Sequence, residues 1–259
     1  MKKIVLQGMA YDERSSYQRG PALAPPLIRL AYLNDSSNTY AENGMDIPED
    51  IIDDKGDYAI KGHFDIERHT LENLSDGLPL LTLGGDHSIT YPLLKAIHLV
   101  HGPVDILHID AHADLYDNFE GDRLSHACSF ARIMEEQLAE NLVQVGIRTL
   151  NRSQKVQAEK FGVQILEMKD WELARLPEFK NPLYISLDID ALDPAFAPGV
   201  SHLEPGGFST REVLAILQSI KSKVIGADLV EFNPKNDVNE QTAMVCGKLF
   251  KELVALMIK

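Results

Sequence analysis

Acidic and histidine side chains crowd together directly after three apolar segments of the chain. The densest group lies in HIDAHAD, residues 108–114, which follows the apolar run 104–107. Segment 80–88, LLTLGGDHS, and segment 184–194, YISLDIDALDP, share the design of an apolar run followed by acid or histidine. Carboxylates this close repel one another and lose hydration unless a cation lies among them. The pattern therefore points to bound cations.

Two of these segments direct their side chains to a common side. Asp110, His112 and Asp114 are spaced i, i+2, i+4, and Asp188 and Asp190 are spaced i, i+2, so an extended chain points each set one way. Each segment alone could also be a turn with a capping aspartate. In a parallel sheet, however, the carboxyl ends of the strands gather at one edge. Four aspartates would balance two dications there, and carboxylates with some imidazole suit Mn²⁺ better than zinc. The residues predict two Mn²⁺ per chain.

Apolar runs alternate with amphipathic stretches along the whole chain. The runs predict strands near residues 3–7, 78–83, 104–109, 142–147, 163–166, 183–189 and 224–228. The amphipathic stretches predict helices near residues 25–33, 65–74, 90–100, 126–137, 153–160, 210–220 and 239–257. Apolar strands separated by helices indicate a parallel sheet covered on both faces. We therefore expect an α/β fold, with residues 1–259 in one domain because no segment has the composition of a linker.

Two further segments carry local predictions. GPALAPP, residues 20–26, should open a helix, since proline in the first helical turn costs no hydrogen bond. EDIIDDKGD, residues 49–57, is rich in acids and predicts a solvated loop.

The overall charge restricts the classes of partner. The chain has 39 acidic and 25 basic residues, a formal net charge of −14, which argues against nucleic acid or an anionic membrane. It is compatible with a small cationic substrate. Cys128 and Cys246 are too few for a disulfide framework, and the apolar run in MKKIVLQGMA is too short for a signal peptide or a membrane span. These features predict a reduced, cytoplasmic protein.

The motifs GGDHS (84–88), DAHAD (110–114) and SLDIDALDP (186–194) resemble those of the ureohydrolase family, which includes arginase, agmatinase and formimidoylglutamase. The similarity extends over nearly the whole chain, from GPALAPP to DLVEFNP at 228–234. The resemblance implies a three-layer α/β/α sandwich with a mainly parallel central sheet. It also implies hydrolysis of a guanidino or formimino group by a hydroxide that bridges two manganese ions.

The resemblance implies two overlapping sets of metal ligands. One ion would be bound by His87, Asp110, Asp114 and Asp188. The other would be bound by Asp110, His112, Asp188 and Asp190, so that two aspartates bridge the ions. Asp86 and Asp193 would be supporting or turn residues, and His108 would be a partly buried histidine rather than a ligand.

Three catalytic roles also follow from the resemblance. Glu231 would bind the guanidinium, because a two-pronged carboxylate–guanidinium pair fixes its orientation. Asp114 would take a proton and pass it to the leaving nitrogen. His126 would exchange protons with solvent, since histidine titrates near working pH.

Two loops carry the prediction of the substrate. Residues 115–135 and 194–207 resemble plant-type arginases, whereas agmatinases usually have a Gly-Thr-Gly-Thr-Pro-Glu-like stretch where this chain has GVSHLEP. Vertebrate-type arginases have an asparagine where this chain has Tyr116, so we expect other loop residues to bind the amino-acid end of the substrate. The candidates are Asn118, Arg123, Ser125 and Asn151.

We therefore expect an arginase that converts L-arginine to L-ornithine and urea. Agmatinase is the second alternative for the function, followed by formimidoylglutamase and by a metal-binding relative without catalytic activity. Because the family commonly forms trimers or hexamers, the resemblance also implies a homo-oligomer.

Overall fold

The computed structural model describes residues 3–259, and its eight β-strands form one sheet. The strands are β1 (Ile4–Ala10), β2 (Ile52–Ala59), β3 (Leu80–Leu83), β4 (Val104–Ile109), β5 (Ala139–Ile147), β6 (Gln164–Glu167), β7 (Leu183–Asp188) and β8 (Val224–Val230). Their order in the sheet is β2-β1-β3-β8-β7-β4-β5-β6. Every pairing between these eight strands is parallel, so the sheet is parallel throughout rather than mainly.

Seven α-helices in the described part of the chain cover both faces of this sheet. They are α1 (Ala24–Tyr32), α2 (His63–Asn73), α3 (Thr90–His101), α4 (Ser129–Glu135), α5 (Arg152–Phe161), α6 (Thr210–Ser219) and α7 (Gln241–Met257). Helices α1, α6 and α7 pack together on one face, and α2 to α5 pack on the other. The expected three-layer α/β/α sandwich is confirmed.

The central strands β3, β4, β7 and β8 are buried at every residue. This explains their nearly continuous apolar sequences, because helices exclude water from both faces of a doubly covered sheet. The few polar side chains on these strands must find partners inside the protein. That requirement shapes the site described below.

Segment 49–57 is not the predicted loop. A short 3-10 turn at Glu49–Ile51 leads directly into β2, which lies at the edge of the sheet and pairs with β1 alone. Side chains on an edge strand reach solvent, so acids there cost little desolvation. Arg29 of α1 donates to Asp54 (Nε–Oδ2 2.7 Å) and also contacts Asp57, which offsets the repulsion between them. The loop prediction was wrong because outward-facing charges hide the strand pattern.

Two other local predictions can be compared with the structure. GPALAPP opens a helix as expected, through a 3-10 turn at Pro21–Leu23 that continues into α1. The helix predicted at 126–137 begins as a 3-10 turn at His126–Cys128 and becomes α-helical only over α4.

Within residues 3–259, no helix is both long enough and apolar enough to cross a membrane.

Candidate metal centre and active site

The candidate ligands follow the carboxyl ends of the central strands. His87 lies after β3, segment 110–114 after β4, Asp188 and Asp190 at the end of β7, and Glu231 after β8. These strands are neighbours in the order β3-β8-β7-β4. The loops that follow them therefore meet at one edge of the sheet. The structure brings all six predicted ligands together there.

The ring of His87 is fully buried and directs Nδ1 at three carboxylates. Nδ1 lies 3.1 Å from Asp110 Oδ2, 3.1 Å from Asp188 Oδ2 and 3.3 Å from Asp114 Oδ2. It forms no hydrogen bond with any of them. A buried polar atom without a partner is costly, and an imidazole nitrogen among carboxylate oxygens is the donor set of a divalent metal ion. The residues present fit a metal ion at this position.

A second group of donors lies beside the first. Asp110, His112 and Asp190 each place one donor atom within 4.8 Å of the others. His112 Nδ1 lies 3.0 Å from Asp190 Oδ2 and 3.5 Å from Asp110 Oδ1. Asp110 belongs to both groups, which its predicted bridging role requires. Asp188 faces His87 but does not join the second group, so its own bridging role stays a prediction.

His108 lies close enough to be a ligand, but both of its ring nitrogens have partners. Gln144 Nε2 donates to His108 Nδ1 (2.9 Å), so His108 Nε2 carries the proton and donates to Asp110 Oδ2 (2.7 Å). Burial lowers the pKa of His108 to about 4, which keeps the ring neutral. The ring stacks on Phe130 and is fully rather than partly buried. His108 therefore orients Asp110.

The crowding of carboxylates shifts their pKa values. Burial, together with Asp110, raises the pKa of Asp114 to about 7. Burial and neighbouring carboxylates raise the pKa of Asp188 well above its usual range. The pKa of His87 is also raised well above its usual range, because Asp110 and Asp188 outweigh burial. Such groups retain protons to limit their negative charge, and dications would displace those protons.

Glu231 lies against His87 and His126 with one oxygen unpaired. Its Oε1 accepts the backbone N–H of His87 (2.9 Å) and lies 2.7 Å from His126 Nδ1. Its Oε2 is buried and has no hydrogen-bond partner. The backbone φ of Glu231 is +62°, and that of Asp114 is +48°, both in the left-handed region that non-glycine residues rarely adopt. Such strain is common at functional sites.

Ser16 holds the other ring nitrogen of His126. The backbone N–H of Ser16 donates to His126 Nε2 (3.1 Å), and Ser16 Oγ lies 2.8 Å from the same nitrogen. Ser16 thus offers a donor to the neutral ring and an acceptor to the protonated ring. Asp86 fixes this loop, because Asp86 Oδ2 accepts the backbone N–H of Arg14 (3.0 Å) and lies 3.2 Å from Ser15 Oγ. The arrangement suits a histidine that gains and loses a proton.

A pocket of about 180 Å³ opens onto these groups. Its polar wall contains His112, Asp114, His126, Asp188, Asp190 and Glu231. Its remaining lining is Ser16, Tyr116, Phe119, Ala127, Thr149, Gln154, His202 and Glu204. No lysine or arginine occurs among these described lining residues, so the pocket is strongly acidic and suits a cationic ligand.

The substrate-binding residues predicted from the loops lie outside this pocket. Asn118 accepts a backbone N–H within its own turn, and Ser125 Oγ is buried without a partner. Asn151 caps α5 and contacts the hydroxyl of Tyr116, which does line the pocket. Arg123 forms ion pairs with acidic side chains of its own region. The structure does not bring Asn118, Ser125 and Asn151 to the pocket.

Sequence reasoning assigned no role to several residues that line the pocket. His202 and Glu204 stand in GVSHLEP, where a histidine and an acid two residues apart were a signal. Glu204 Oε1 lies 3.6 Å from His112 Nε2. Ser16 carried no such signal, because it is one of two adjacent serines in a polar loop. Its position depends on Asp86, which lies 70 residues further along the chain.

Comparison with known proteins gives consistent matches over the whole fold. The Arginase family model matches residues 2–255. The chain is 46% identical to "Arginase 1, mitochondrial" of Arabidopsis thaliana, over 98% of this chain and 81% of that protein. It is 34% identical to the guanidinobutyrase of Pseudomonas aeruginosa, over 96% of this chain and 85% of that protein. The solved structure of arginase from Medicago truncatula superimposes with a TM-score of 0.93 at 40% identity, covering 100% of this chain and 88% of that one.

Proposed function

The chain belongs to the arginase family and is a hydrolase that acts on guanidino C–N bonds, and from this premise we propose that it converts L-arginine and water to L-ornithine and urea. One observation supports the guanidino substrate above all others. Glu231 Oε2 is a buried carboxylate oxygen without a partner in a residue that lines the acidic pocket, where a guanidinium N–H could donate to it. The choice of arginine rests on the similarity to plant arginases.

We propose that two Mn²⁺ ions bind at the edge of the sheet. The ligands are His87, Asp110, His112, Asp114, Asp188 and Asp190. Their carboxylate-rich set with two imidazoles suits manganese, and the unpaired Nδ1 of His87 supports a bound cation. When bound, the ions would supply a water of lowered pKa that can attack at neutral pH.

The residues of the chain provide the remaining steps. Glu231 Oε1 is already occupied by two donors, so Glu231 holds the guanidinium through Oε2 rather than through both oxygens. Asp114 lines the pocket beside His126, so its carboxylate is placed to take a proton and release it to the departing nitrogen. His126 then exchanges that proton with solvent at Nε2, beside Ser16.

Agmatine is the second candidate substrate, and the pocket gives a specific reason. Arginine carries an α-carboxylate, yet no lysine or arginine is among the described lining residues. Agmatine lacks that carboxylate. The same absence disfavours formimidoylglutamate and 4-guanidinobutyrate, whose carboxylates would need cationic partners. The complete set of ligand and proton-transfer residues disfavours a non-catalytic relative.

The decisive experiment compares substrates directly. Manganese-loaded protein is incubated with L-arginine, agmatine and 4-guanidinobutyrate, and both urea and the amine product are identified. Ornithine and urea from arginine support the proposal. Putrescine as the dominant product would show that agmatine, and not arginine, is the substrate. Absence of urea from every substrate would leave formimidoylglutamate and the non-catalytic reading.

We also propose that residues 1–259 form one domain and that the chain forms a homo-oligomer, a trimer or a hexamer. The continuous sheet supports one domain, and exposed apolar side chains on α1, such as Leu30 at 64% exposure, support self-association. A single cooperative unfolding transition and a mass from light scattering test these two statements.

A cytoplasmic location remains our proposal for the cell. Cys128 and Cys246 are buried and unpaired, which suits a reducing compartment. The relative from Arabidopsis thaliana carries "mitochondrial" in its name. Fractionation of cells that express the protein distinguishes the two locations.

A further inference from the structure

A buried carboxylate stands behind His87, on the side away from the acidic cluster. Asp228 of β8 is fully buried, and its contacts are three hydroxyl groups rather than a cation. Ser186 Oγ lies 2.7 Å from Asp228 Oδ1, Tyr184 Oη 2.7 Å from Oδ2, and Thr90 Oγ1 2.8 Å from Oδ2. Ser186 and Asp228 are register partners on neighbouring strands, which places both side chains on one face of the sheet.

The chemistry of these groups fixes the direction of every hydrogen bond. An ionised carboxylate can only accept, so all three hydroxyls donate to Asp228. Three hydroxyl donors at 2.7 to 2.8 Å favour the ionised form of Asp228, against the burial that raises its pKa. The single proton of Ser186 is therefore committed to Asp228. Ser186 Oγ must then accept in its 2.8 Å contact with His87 Nε2.

A histidine that binds a metal ion is neutral and has one N–H, and this chain of bonds assigns that N–H to Nε2. His87 Nδ1 is then left with a bare lone pair, directed at Asp110 and Asp188. That lone pair is what a metal ion binds. A residue that accepts a hydrogen bond from the second ring nitrogen of a metal-binding histidine fixes the tautomer and the orientation of that histidine.

We infer that Asp228 is a positioning residue that acts through Ser186 to hold His87 with its proton on Nε2 and its Nδ1 free for a metal ion. The inference rests on the proposed metal site, and it assigns a function to two residues that the predicted ligand set does not include. It also explains why an acid lies inside a fully buried strand.

The contacts of Asp228 provide a matched pair of variants. Ser186→Ala and Tyr184→Phe each remove one hydroxyl donor from Asp228, but only Ser186 contacts His87. Metal-free protein is titrated with Mn²⁺, and the free ion is followed by electron paramagnetic resonance. We expect Ser186→Ala to reduce the affinity for one of the two Mn²⁺ ions by about 10- to 100-fold. Tyr184→Phe should bind both ions as the unsubstituted protein does.

Further variants keep the outcome decisive. Ser186→Thr keeps the hydroxyl and should restore affinity. Asp228→Asn is isosteric and removes the buried charge, so it replaces Ser186→Ala if that variant does not fold. It should weaken binding of the same ion. Full Mn²⁺ affinity in Ser186→Ala or Asp228→Asn, or an equal loss in Tyr184→Phe, would overturn the inference. If the unsubstituted protein takes up no Mn²⁺, the proposed metal site fails together with the inference.

Discussion

The two histidines of the candidate metal centre, His87 and His112, have different surroundings. The side chain of His87 is 1% exposed, lies edge-on to Phe130 and is backed by Ser186 and Asp228 inside the sheet. The side chain of His112 is 23% exposed, and its Nε2 faces Glu204, which is itself 36% exposed. One half of the centre is thus continuous with the hydrophobic core, and the other half forms part of the pocket wall.

This difference predicts different penalties for substitution. A polar group removed from the interior leaves its partners unsatisfied, whereas water can replace a partner at the pocket wall. Changes on the His87 side should therefore reduce both folding stability and metal binding. Changes on the His112 side should act mainly on metal binding and catalysis.

Asp110→Asn should have the largest effect, because Asp110 belongs to both groups of candidate ligands. Its substitution should therefore affect the His87 side and the His112 side equally. We expect neither ion to bind, and kcat/KM for arginine to fall about a thousandfold or more, since about 4 kcal/mol of metal-derived stabilisation would be lost. Elemental analysis and urea production measure the two effects. Asp193→Asn, in a loop aspartate that accepts backbone N–H groups, is the control. Two ions per chain in Asp110→Asn would contradict the bridging role.

Gly85→Ala and Gly207→Ala compare the backbone on the two sides. A Cβ at Gly85, beside His87, would lie 1.7 Å from the carbonyl oxygen of Tyr11. A Cβ at Gly207, near the His112 side, would meet its nearest atoms at 2.7 Å. We expect a loss of about 3 kcal/mol for Gly85→Ala and a smaller loss of about 2 kcal/mol for Gly207→Ala in the free energy of unfolding. Urea denaturation of metal-free protein measures both, and equal losses would refute the proposed difference.

His87→Ala and His112→Ala test the side chains without their metal. In the metal-free protein, His87→Ala should reduce the free energy of unfolding by about 2 kcal/mol, since it leaves a cavity beside buried carboxylates. His112→Ala should cost less than about 1 kcal/mol, because its ring is partly hydrated. Chemical denaturation in the presence of a chelator gives both values. A greater loss for His112→Ala would reverse the assignment of the two halves.

Glu204→Gln should have the smallest effect. Its carboxylate lies 3.6 Å from His112 Nε2 and is partly exposed, so we expect a cost of about 0.5 kcal/mol in Mn²⁺ affinity. Titration with Mn²⁺ under the conditions used for Ser186→Ala compares the two partners directly. If Glu204→Gln weakened binding as strongly as Ser186→Ala, exposure would not be what separates the two halves.

The sequence could predict that the candidate ligands meet at one edge of the sheet, because their residue types and their positions after strands are both local properties. His87, Asp110 and Asp188 each follow an apolar strand, and parallel strands end at one edge of the sheet. The sequence predicted a partly buried His108 that is not a ligand, but it did not predict the complete burial of the ring or its contact with Asp110. Strand β2 was missed because Arg29, which neutralises its acids, lies on another element.

The loop residues that line the pocket could not be predicted from the sequence, for a different physical reason. Asn118, Ser125 and Asn151 were chosen because they are polar and lie in loops near the ligands. The direction of a loop side chain depends on contacts that sequence spacing does not reveal, such as the hydrogen bonds that turn Asn118 and Asn151 towards their own backbone. Ser16 reaches the pocket only because Asp86 holds its loop.

The contact between Ser16 and His126 has a consequence for the order of folding. The pocket joins Ser16, near the start of the chain, to Glu231, near its end, through His126. Contacts between residues so distant in sequence form slowly, because long loops must close first. Local helices can form before the sheet is complete, but the pocket cannot. Strand β8 lies between β3 and β7 and directly precedes Glu231, so a nascent or truncated chain that has not reached residue 231 lacks both the continuous sheet and the site.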